Sequence, residues 1–112
     1  MLSYVLAAIL LLLSVPVALA GITSQPDPKQ GKVLAEKLCT NCHLIGSNAQ
    51  QAHANADVPS FPEIANLEGQ TASAITARIM MPKHPMPTIP FTKAELADLA
   101  AYILSLRDGA RP

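Results

Sequence analysis

The feature that most constrains this chain is the run Cys39-Thr40-Asn41-Cys42-His43. It reads C-x-x-C-H, the pattern through which a chain attaches a c-type haem covalently. On a helical turn residues three apart share one face. Both sulfurs can therefore reach one porphyrin and form a thioether with each of its vinyl groups. The imidazole of His43 follows at once and can approach the iron from the same side. Other uses of such a pair fit less well. A thioredoxin-like redox pair asks for a βαβ context, and no strand-rich pattern flanks this one. A structural zinc site needs four ligands. The chain has only two cysteines and three histidines, and His53 and His84 fall in loops without finger-like spacing. A plain structural disulfide is the remaining alternative.

The compartment follows from the first twenty residues. MLSYVLAAILLLLSVPVALA is almost wholly apolar, with an h-region from Tyr4 to Val15, a break at Pro16 and a small-x-small site at Ala18-Leu19-Ala20. We read residues 1–20 as a signal peptide cut after Ala20, which makes the protein periplasmic. The run is shorter than the ~20 residues of a membrane span. Its n-region lacks Lys and Arg, so retention as an anchor is the alternative, and only then would the membrane be a partner. Residues 21–26 read as a flexible leader and 27–112 as one domain.

A domain this small is marginal without a staple, and its only aromatics beyond the leader are Phe61, Phe91 and Tyr102. A haem would supply the apolar plate that bulky side chains usually provide. Eight basic and eight acidic residues balance, and no basic run points to nucleic acid.

The rest of the chain reads as helices and loops. Asp27-Pro28 opens a first helix, with Asp as cap and Pro at the first position. It runs into Cys39, with Leu34 and Leu38 as its apolar side. Gly31 is either a flexible first turn or a place of close helix approach. Residues 44–58 read as a loop that wraps the proximal face of the ring, and His53 within it as exposed. Ser60 with Glu63 matches a capping box for a short helix over Pro62 to Asn66, ended by Gly69. Thr71 caps a third helix with Ile75 and Ile79 inward, stopped by Pro82. Three prolines between Lys83 and Pro90 exclude helix and central strand and predict a stiff extended strap. Thr92 with Glu95 is a second capping box. It starts a last helix striped by Leu96, Leu99, Ile103 and Leu106 and ended by Gly109. Met80 and Met81, at the end of an apolar helix, read as core gap-fillers. Met86, held between prolines, has a poor place for generic packing; for the iron-ligand role that the resemblance below implies, His84 is its competitor.

This order of parts resembles the class I cytochromes c, especially the small bacterial periplasmic ones, over nearly all of residues 27 to 108. The resemblance rests on Cys39, Cys42, His43, the pair Met86-Pro87, and Ala100-Ala101-Tyr102-Ile103 in the final helix. It implies an all-α fold of about four helices wrapped around one covalently attached haem, the terminal helices packed on each other. It implies that Cys39 and Cys42 carry the thioethers, that His43 is the proximal iron ligand and that Met86 is the distal one. Pro59 matches the proline whose carbonyl accepts the His43 Nδ1 proton, a contact that orients the ring. Gly31 and Tyr102 match the glycine and aromatic where the terminal helices meet. Ala35 departs from the family, which often has Phe or Tyr there, and predicts a lighter helix contact. Tyr102 reads as packing rather than a redox relay. Arg78 and Lys83 are candidates for the haem propionates or a partner, against the plainer reading of isolated surface charges.

The function implied is one-electron transfer between larger redox proteins, met transiently at the haem edge, by a monomer that is not an enzyme. A haem c subunit of a dehydrogenase or oxidase complex, and a ligand-binding haem protein with a labile Met86, are the alternatives.

Overall fold

The structure is a computed structural model and describes residues 24–46 and 57–109. The expected signal peptide, residues 21–23 of the leader, and residues 47–56 of the expected loop, His53 among them, lie outside the described residues. Four α-helices and no strand occur among them: α1 (Pro28–Leu38), α2 (Phe61–Ala65), α3 (Ala72–Met80) and α4 (Lys93–Ser105). The all-α expectation is met.

Each helix starts where its cap stands. The Asp27 carboxylate accepts from the Lys29 N–H, with Pro28 in the first turn. Ser60 and Glu63 form a reciprocal box at α2, as Thr92 and Glu95 do at α4. Thr71 accepts from the Ala74 N–H at α3. Each satisfies amides that a helix start leaves without intrahelical partners. In the α4 box, the Thr92 backbone N–H and then its hydroxyl hold the Glu95 carboxyl below its ordinary value. Helix α2 begins one residue earlier than expected, at Phe61. Gly69 and Gly109 take positive φ, 68° and 80°, in the turns after α2 and α4; glycine enters that region without the steric cost of a Cβ.

The most extensive helix contact joins α1 to α4, while α3 and α2 pack on α4 less broadly. The face that α1 buries is Gly31 and Ala35, not the Leu34–Leu38 side. Leu38 is 44% exposed, whereas Ala35 is fully buried. The reason is the approach of the backbones. A Cβ on Gly31 would overlap the Asp98 carbonyl oxygen and stand 2.8 Å from Tyr102 Cβ. Small residues bring the helices together in place of the aromatic usual near this crossing. The Asp27 backbone N–H adds a bond to Asp98 Oδ1, 2.7 Å across the pair. Around this crossing lies a core of Ile45, Phe61, Ala65, Ile75, Ile79, Leu96, Leu99, Ala100, Tyr102 and Ile103. Arg107 then ties the end of α4 to the turn after α2, donating from Nε to Ala65 O (2.9 Å) and from Nη2 to Gln70 O (2.8 Å).

Two expectations are corrected. Met80 and Met81 are not core fillers: they are 63% and 74% exposed. Ile75 and Ile79 take the inward side of α3, so the two residues that end the helix fall outside it. The strap is not extended throughout. Lys83 to Met86 forms a turn in which the Met86 N–H donates to Lys83 O at 3.1 Å, and further on the Phe91 N–H donates to Ile89 O at 3.0 Å.

Candidate functional site

The C-x-x-C-H run sits where α1 ends. Cys39 caps the helix, its N–H donating to Ala35 O. Its own carbonyl accepts from Cys42 N (3.2 Å) and His43 N (2.9 Å). The chain thus makes one further turn with both cysteines as free thiols. Cys39 is half-buried against the core and Cys42 is exposed. Burial, with a smaller contribution from Cys42, pushes the Cys39 thiol up to about 11.

His43 Nδ1 lies 2.7 Å from the carbonyl oxygen of Pro59. A carbonyl only accepts, so in the neutral ring Nδ1 carries the proton and Nε2 the lone pair. The loop is fixed at two further points: Phe61 N–H donates to Leu44 O at 2.8 Å, and Tyr102 Oη–H donates to Ile45 O at 2.7 Å. The Phe61 ring centroid stands 5.4 Å from that of His43 and 6.3 Å from that of Tyr102. Burial, then the Glu36 carboxylate, raises the Tyr102 phenol above its ordinary value.

Met86 is half-buried and packs against the core, while His84 is exposed. Arg78 and Lys83, both exposed, edge an open groove floored by Ala74, Ala77 and Met81. Sequence reasoning gave Phe61 no role. Its ring meets His43 only because the loop folds back, and no local pattern announces that.

The donors fit a haem: two free thiols one turn apart, an imidazole with one nitrogen committed and the other open, and a half-buried thioether on a separate segment. The Cytochrome c family model matches residues 28–107. The chain belongs to the cytochrome c family. It is also 37% identical over 81 residues to cytochrome c-552 of Bradyrhizobium diazoefficiens, covering 72% of this chain and 76% of that protein. No solved structure matches it. As in that family, the cofactor is covalently bound haem c with its iron, and the role is electron transport. None of the described helices is long and apolar enough to cross a membrane.

Proposed function

We propose that this chain is a one-electron carrier whose haem iron is closed on both axial sides, by His43 Nε2 and by the Met86 thioether, with Cys39 and Cys42 in thioether linkage. The observation that carries the reading is the 2.7 Å bond from His43 Nδ1 to Pro59 O. It fixes the tautomer of the neutral ring, leaves Nε2 as the nitrogen with the lone pair and raises the basicity of the imidazole. Met86 is supported by being the only half-buried methionine thioether of the described residues; Met80 and Met81 face outward. When bound, the haem supplies an iron that accepts and returns one electron, and His/Met ligation raises its potential above that of a His-only site.

With both axial positions filled no substrate binds the iron, so the protein is a carrier and not an enzyme. Electrons pass through the ring edge to redox proteins in small, transient contacts, and the chain works as a monomer in the periplasm once residues 1–20 are removed. A redox titration followed by visible absorption tests this, with carbon monoxide added to the reduced protein at neutral pH. A single reversible one-electron wave and no carbon monoxide adduct are expected. An adduct would make Met86 labile and favour a ligand-binding haem protein. Co-purification with a dehydrogenase or oxidase would favour a complex subunit.

A further inference from the structure

We propose that Tyr102 and Phe61 are positioning residues for the His43 imidazole, so that the last helix of the fold sets the proximal side of the iron. The proposal rests on the reading of His43 as the proximal ligand. Tyr102 belongs to α4 and lies 59 positions from His43 in the chain, yet it reaches the ligand by two routes. Through its hydroxyl it holds Ile45 O at 2.7 Å, two residues beyond His43. Through its ring it backs Phe61 edge-on, with the planes 62° apart. Phe61 in turn tilts against the imidazole at 51° and 5.4 Å. Its own N–H donates to Leu44 O at 2.8 Å.

These contacts flank the bond from His43 Nδ1 to Pro59 O on both sides. Residues 44 and 45 are pinned on one strand of the loop, and Phe61 follows Pro59 by two on the other. The Phe61 ring stands beside the imidazole, and the Leu44 and Ile45 bonds hold the chain that carries it near Pro59. Helix packing alone asks only for a ring at position 102. The hydroxyl, buried and aimed at a carbonyl of the ligand loop, is not needed for that. A hydrogen bond from Nδ1 makes the imidazole a stronger electron donor, which favours the oxidised iron. A looser loop weakens that bond and raises the reduction potential.

The test uses the haem-loaded protein and three variants: Tyr102→Phe, Phe61→Leu and Ile103→Val. The last trims a buried α4 residue that does not belong to the chain of contacts. Two quantities are read: the reduction potential and the exchange rate of the His43 Nδ1 proton, from its paramagnetically shifted NMR signal. Tyr102→Phe keeps the ring and removes the bond. It should raise the potential and speed the exchange by about tenfold, equivalent to ~1.4 kcal/mol. Phe61→Leu should change both in the same direction, which keeps the test decisive if Tyr102→Phe folds poorly. Ile103→Val should change neither. Wild-type values in both Tyr102→Phe and Phe61→Leu would overturn the proposal. So would an equal shift in Ile103→Val, which would mean general loosening. Absence of any iron-shifted His43 signal in the wild type would strike the ligand assignment itself, before a variant is made.

Discussion

His43 divides its work between two nitrogens, and the division is enforced by a partner that can only accept. Nδ1 must donate to the Pro59 carbonyl, so Nε2 is the one left to bind a metal. This much was legible in the sequence, because the pentapeptide places thiols and imidazole by spacing alone and Pro59 came with the family resemblance. Met86 was singled out by the family resemblance and its proline neighbours; it lies half-buried against the core, and its place on the iron is a proposal. The Phe61 and Tyr102 contacts were not, since they join residues that only the tertiary fold brings together. Tyr102 also gives a pH prediction. Its phenol titrates above the ordinary 10.0 in the folded protein because of burial, with Glu36 adding. The folded state therefore keeps the proton that the unfolded state gives up near pH ~10. Stability from this group is fully present below that pH and is lost as pH rises through the higher folded value. Denaturant unfolding at a series of alkaline pH values should show this falling limb in the wild type and a shallower one in Tyr102→Phe. An equal slope in both would assign the loss to other groups.

At the scale of elements, the caps were the most readable feature. Asp27, Ser60, Thr71 and Thr92 all stand at helix starts, because capping depends only on residues three or four apart. The faces of the helices were less readable. Leu34 and Leu38 looked like the apolar side of α1 because they stand one turn apart, away from most of its charges. The structure instead buries Gly31 and Ala35, since the governing quantity is how closely α4 can come. Met80 and Met81 were misjudged because composition alone does not say where a helix ends relative to its stripe. Gly31→Ala tests the crossing. The added methyl would overlap the Asp98 carbonyl oxygen, which is backbone and cannot swing aside. Forcing the helices apart should cost about 2 kcal/mol or more, a fall in melting midpoint of roughly 10 °C. The visible spectrum of the folded protein should keep its form, because the substitution removes none of the proposed iron ligands. An unchanged midpoint would mean that α1 and α4 do not meet this closely.

For the whole molecule, eight basic and eight acidic residues leave no net charge, and no charged side chain is buried among the described residues. Long-range steering of a partner is then weak. The rate of electron exchange with a redox protein should change less than about threefold between low salt and ~0.15 M, measured by stopped flow. A steep decline would expose an uneven charge distribution that the total conceals. The architecture as a whole places the C-x-x-C-H turn at the end of α1, Ile45 and Phe61 against Tyr102 of α4, and Met86 on a separate segment against the same core. A carrier follows if those two segments close on one iron. The most direct measurement is the visible spectrum of the oxidised Met86→Ala protein beside the wild type. The wild type should show the weak sulfur-to-iron charge-transfer band. The variant should lose it, fall in reduction potential and bind carbon monoxide when reduced. A variant that keeps the band would contradict the account, because the iron would then draw its second ligand from elsewhere.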